Sequence, residues 1–160
     1  MGCDRLKVVK LFLIKERKER IMAKTIATVL GVAFILVGII GFISPGFLGT
    51  HLSLTHNLVH IISGAVALYF GLAGSLSGAR LFCLVFGAVY LLLGVVGFLL
   101  GGDQQHTIAG ITHGPDSRLL QVIPGQLELA TMDHTVHILL GIVFLIGGLL
   151  TKADVRAATD

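Results

Sequence analysis

Seven histidines, His51, His56, His60, His106, His113, His134 and His137, are the residues of this chain best equipped for chemistry. Neutral imidazole ligates zinc, copper, nickel or haem iron, and it changes charge near physiological pH. His56 and His60 are four residues apart, and His134 and His137 three apart, so on helices each pair shares a face. Asp133 adds a carboxylate that can serve a metal or cap its own helix through backbone N–H groups. A transition-metal site would draw on His56, His60, Asp133, His134 and His137. A haem would be held by His60 and His137, on opposite sides of the macrocycle. The plainer alternative is structural: imidazoles at the start of a helix hydrogen-bond loop carbonyls and neighbouring helix ends, tying the fold together. His51, His106 and His113 read as solvated loop residues.

The elements that position these side chains follow from composition. With 54% hydrophobic and 13% charged residues and a mean hydropathy of +0.92, too little polar surface remains for a soluble globular domain. A helix crossing the hydrocarbon core needs about 20 mostly apolar residues. Four stretches free of Asp, Glu, Lys and Arg qualify: Thr25 to Ser44, Asn57 to Ser75, Leu81 to Gly101 and Thr135 to Leu150, the last starting earlier, near Asp133. All seven histidines then lie in the loops at one end, or at the ends of spans two and four on that side.

Basic residues set the orientation. Arg5 to Lys24 precede span one, Arg80 lies between spans two and three, and Lys152 and Arg156 follow span four, whereas the other loops hold only Arg118. Positive charge is retained on the cytoplasmic side. Both termini and the Ser75 to Arg80 connection are therefore expected inside an inner (plasma) membrane, with the loops Pro45 to Thr55 and Gly102 to Met132 outside. The net charge of +3 serves this orientation rather than nucleic acid. Span one reads as uncleaved, because Ile43-Ser44-Pro45-Gly46 lacks a small-x-small site. Cys3 and Cys83 fall on the reducing side, so no disulfide is expected. Met1-Gly2-Cys3 fails the myristoylation pattern at Leu6.

Two units follow: a basic extension, 1–21, and a four-helix transmembrane domain, 22–160. The extension, ending in Lys15-Glu16-Arg17-Lys18-Glu19-Arg20, has two readings. It is a basic amphipathic helix on the inner leaflet, or a translated ribosome-binding region upstream of a start at Met22, which we favour.

The domain contains an internal repeat. Gly31 to Phe42 aligns without a gap to Gly87 to Phe98, matching glycines at Gly31/Gly87, Gly38/Gly94 and Gly41/Gly97, and Val59 to Gly64 aligns to Val136 to Gly141. His60 and His137 are thus equivalent positions. The expected fold is all-α, without strands: four transmembrane helices as a tandem duplication of a two-helix hairpin, about 26–75 and 81–150. The copies are related by a pseudo-two-fold axis along the membrane normal. The glycines pack helices closely.

Leu54-Thr55-His56-Asn57-Leu58-Val59-His60, with Asp133-His134-Thr135-Val136-His137 opening the last span, resembles the bacterial membrane family catalogued as domain of unknown function 4383. The resemblance covers about Ile26 to Leu150 and implies the four-helix architecture, but no activity. Two features depart from the pattern: a longer second outside loop, with His106, His113 and Pro115, and the basic extension.

Catalysis would need an oriented nucleophile and base, paired carboxylates or an open metal position. The spans also lack the mid-membrane charges and prolines typical of ion-coupled transport, although a glycine-lined path for a small neutral solute stays open. The expectation is a non-enzymatic structural or accessory protein whose outer histidine cluster ties its hairpins. It would contact the lipid bilayer and join a homo-oligomer or larger membrane complex. The rivals are a metal- or haem-binding protein acting through His60 and His137, and an outside pH sensor.

Overall fold

A computed structural model describes residues 2–108 and 111–152, with side chains described for 21–105 and 114–152. The expectations for Cys3, His106 and His113 and for residues 1–20 of the 1–21 extension fall on side chains outside that set. Four helices dominate: α1 (Gly2–Gly41), α2 (Leu54–Leu68, continued by a π-helical turn, Tyr69–Ala73), α3 (Leu76–Leu100) and α4 (Thr131–Leu150). Ile21–Gly41, Leu54–Ala73, Leu76–Leu100 and Thr131–Leu150 are each long and apolar enough to cross a membrane. At 1.5 Å per residue, 20 residues span about 30 Å. The chain is a small multi-pass membrane protein.

Their aliphatic side chains face outward, as lipid contact requires: Val29, Leu36, Leu92, Leu139 and Leu149 are all exposed. The interior is aromatic and small. Phe144 is completely buried among Phe34, Phe82, Phe86 and Tyr90, and Phe34 stacks on Tyr90 with ring centroids 5.3 Å apart. Ala23, Ala27, Ala67, Ala79 and Cys83 fill the remaining core, the Cys83 thiol being free.

Glycine lets the helices of each hairpin approach backbone to backbone. A Cβ on Gly64 of α2 would stand 2.8 Å from the Gly31 carbonyl oxygen of α1. One on Gly141 of α4 would stand 2.5 Å from the Leu91 backbone nitrogen of α3. The α2–α3 connection is shorter than the sequence suggests. Ser75 accepts from the Gly78 N–H at 3.0 Å as the N-cap of α3, so Arg80 lies inside that helix.

The expectation of no strands is wrong. The long loop folds into an antiparallel sheet of β1 (Gly102–Ile108), β2 (Ile111–Ile123) and β3 (Leu127–Leu129), in the order β1-β2-β3. Hydropathy scanning passes over this segment because it is polar overall, yet Thr107, Ile108, Ile111, Thr112, Val122 and Ile123 are β-branched. Its backbone groups pair with one another, as buried backbone must. Pro115 is accommodated beside a shift in the β1–β2 register. Leu119, Leu129 and Ala130 are buried, as is Leu52 in the α1–α2 connection.

Candidate functional site

The helix starts under this sheet hold a buried polar cluster, built from three segments. The first is the connection from α1 to α2. Ser53 caps α2, accepting from the His56 N–H at 3.3 Å, while its hydroxyl donates to the Gln126 carbonyl in the turn between β2 and β3. The His51 carbonyl accepts from His56 Nδ1 at 2.7 Å, fixing that imidazole with its proton on Nδ1 if neutral.

The second segment is the start of α4, which two carboxylates satisfy. Asp133 Oδ2 accepts from the N–H of Ala130 at 2.8 Å and from the N–H of His51 at 2.9 Å. Asp116, from β2, accepts from the Thr131 hydroxyl at 2.7 Å and from its N–H at 3.2 Å. Negative charge is favoured at a helix amino terminus. Asp133 therefore does two jobs: it caps its own helix and pins the α1–α2 loop to it.

The third segment is β3. Glu128 is buried, accepts from Gln121 Nε2 and the Gly125 N–H, each at 2.9 Å, and sets its other oxygen 3.7 Å from His51 Nδ1. His51 is fully buried, so its reading as a solvated loop residue is wrong. The sheet and the α4 start, both distant in sequence, close over it.

His56 and His60 do share a face, stacking at 4.6 Å, and His137 stands 6.1 Å from His56. His60 packs on Phe34 and His137 edge-on to Tyr90, which also hydrogen-bonds Ser63. His134 departs from this group. It donates from Nε2 to the Arg118 carbonyl of β2 at 2.7 Å and packs edge-on to Phe98, in the space opened by Gly97. Asn57 occupies the corresponding space beside Gly41.

The outer histidine cluster is expected to tie the hairpins through bonds to loop carbonyls; His56 and His134 make such bonds, to the carbonyls of His51 and Arg118, and Asp133 and Ser53 add others to the His51 N–H and the Gln126 carbonyl. The Nδ1 atoms of His60 and His137 are buried without a hydrogen-bond partner. Among the described residues no three of His, Cys, Asp and Glu are grouped so as to hold a metal ion.

Beside these two imidazoles lies a cavity of about 130 Å³ between α1 and α4, walled chiefly by Phe34, Val37, Val136 and Leu140. Phe47 and Leu48, from the 3-10 turn Phe47–Gly49, add to its wall. Leu48 is held at φ 54° with its side chain largely exposed. For a residue with a Cβ this left-handed conformation costs about 1–2 kcal/mol.

Sequence reasoning missed His51, Glu128, Asn57 and Asp116. A signal existed for two of them. Ser53 three residues before His56 is an N-cap pattern that fixes where α2 begins and so draws His51 under it. The alternation Leu127-Glu128-Leu129 marks a strand with one atypical inward side.

Fold and site together define a four-span membrane protein with a sheet-covered polar cluster at one end. The chain belongs to the family described as Domain of unknown function (DUF4383), which it matches over residues 24–150. No curated protein and no solved structure matches it.

Proposed function

We propose that this is a non-enzymatic structural or accessory protein of the bacterial inner (plasma) membrane, with its histidine end facing outward. Both termini and the α2–α3 junction lie in the cytoplasm. The asymmetry of basic residues supports this orientation, since Lys24, Arg80 and Lys152 all fall at the opposite end. The observation that carries the structural role is the Asp133 carboxylate, which joins the α1–α2 hairpin to the start of α4 through the His51 N–H. Asp133→Ala should lower the unfolding transition of the protein in bilayer nanodiscs by many degrees. An unchanged transition would remove the role.

The hairpins are read as a tandem duplication about an axis along the membrane normal. Matched contacts support it: Gly31 meets Gly64 as Gly87 meets Gly141, and Gly41 meets Asn57 as Gly97 meets His134. Phe34 packs on His60 as Tyr90 packs on His137, and Phe34 and Tyr90, matched in the repeat alignment, stack on each other. A homo-oligomer or larger complex would use the outward aliphatic faces, because these helix glycines are already occupied within the bundle.

A second reading, metal binding by His60 and His137 with His56, His134 or Asp133, is favoured by the unpartnered Nδ1 atoms. As the described side chains stand, no three of these ligands are grouped to hold a metal, so binding would have to bring them together. Metal analysis and an absorption spectrum after purification without chelators test it, haem iron included. Near-stoichiometric metal or a Soret band, abolished by His60→Ala, supports this reading, and the absence of both ends it.

A further inference from the structure

We infer that the cavity between α1 and α4 binds a neutral, lipid-soluble ring compound bearing a hydroxyl or carbonyl oxygen, with His60 and His137 as its polar end. This goes beyond both readings above and depends on neither. The structural tie uses Asp133, His51 and Ser53, and a ring compound needs no metal.

Size, walls and polar groups each narrow the ligand. At about 130 Å³ the space resembles the cavity of about 150 Å³ that takes up benzene when lined by aliphatic and aromatic side chains. Its walls offer one aromatic face, Phe34, and the aliphatic Val37, Val136 and Leu140. Such a lining is filled by a single ring better than by water, which needs several polar partners.

At one end stand His60 and His137, only 6% and 5% exposed, whose Nδ1 atoms lack partners. An unpartnered buried polar group is costly unless something bonds it. Both Nδ1 atoms are shut off from the cavity as the rings stand, and a turn of either ring about its Cβ–Cγ bond would bring one to a ligand oxygen and relieve that cost. Charge is excluded by the rest of the wall. Asp133 repels an anion, and a cation would have to shed its water against a lining that is otherwise almost wholly apolar.

The route in is lateral. Val37, Val136 and Leu140 are each partly exposed along the seam between α1 and α4, which belong to different hairpins. A compound dissolved in the bilayer reaches the cavity there without crossing the polar cluster or the sheet.

Fluorine NMR of the full chain in nanodiscs tests this with 4-fluorophenol and fluorobenzene as probes. The wild-type protein should give one saturable bound 4-fluorophenol signal, distinct from lipid-dissolved probe, with fluorobenzene binding about tenfold more weakly for want of the oxygen. Ala33→Phe and Leu140→Phe fill the cavity from opposite helices. At least one should keep the wild-type circular dichroism and thermal transition while losing the signal, whereas the outward Val85→Phe should keep it. Absence of a saturable wild-type signal, its survival in a folded filled variant, or equal affinity for the two probes would overturn the inference.

Discussion

The two ends of the bundle are closed in different ways. At the end opposite the histidines, the Thr151 hydroxyl accepts from the Ala23 N–H at 2.8 Å and donates to the Gly147 carbonyl at 2.7 Å. There Arg80 Nε also donates to the Gly148 carbonyl at 3.1 Å, placing a cation at the end of α4 where the helix dipole favours it. Among the described residues the Cys83 thiol adds a third contact there, to the Ala23 carbonyl. At the histidine end, closure uses Asp133, Asp116, Ser53 and the bond from His134 to the Arg118 carbonyl, and yet polar atoms remain that it does not use. Asn57 Oδ1 and the Nδ1 atoms of His60, His134 and His137, buried without partners, all lie at that end.

The largest expected effect lies between the ends and sets the scale for both. Gly141→Ala forces a methyl group against the α3 backbone at Leu91, which no rotamer change relieves, and should cost about 3 kcal/mol of unfolding free energy in mixed micelles. Asp133→Ala strands the buried N–H groups of His51 and Ala130 and should cost nearly as much, about 2–3 kcal/mol. Thermal unfolding should also show the α1–α2 loop released first, read as faster amide exchange at His51. Thr151→Ala, its counterpart at the other end, breaks two neutral hydrogen bonds, one of them within its own helix, and should cost about 1–1.5 kcal/mol. A Thr151→Ala loss equal to that of Asp133→Ala would erase the contrast between the ends.

Much of this is legible in the sequence, for identifiable reasons. The spans declare themselves because lipid demands long apolar runs, and the His56–His60 stack follows from helical periodicity. The capping role open to Asp133 is a local property of a helix start, and the structure contains it. What periodicity does not encode is the closure of distant segments. His51 is buried by β3 and by the start of α4, about 80 residues away, so its own neighbourhood reads only as loop. His134 shares a helix with His137 but turns to the Arg118 carbonyl, a partner that exists only once β2 has formed. The strands escaped notice because β-branched residues in a polar, glycine-containing loop carry a weak signal.

The central claim is that Asp133 and His51 hold the hairpins together while His60 is not part of that tie. Unfolding free energies of His60→Leu and Asp133→Ala, measured side by side in one bilayer system, test it most directly. Replacing an unpartnered buried imidazole with a side chain of similar size should leave stability within about 1 kcal/mol of wild type, or raise it, while Asp133→Ala loses about 2–3 kcal/mol. A His60→Leu loss as large as that of Asp133→Ala would contradict the account.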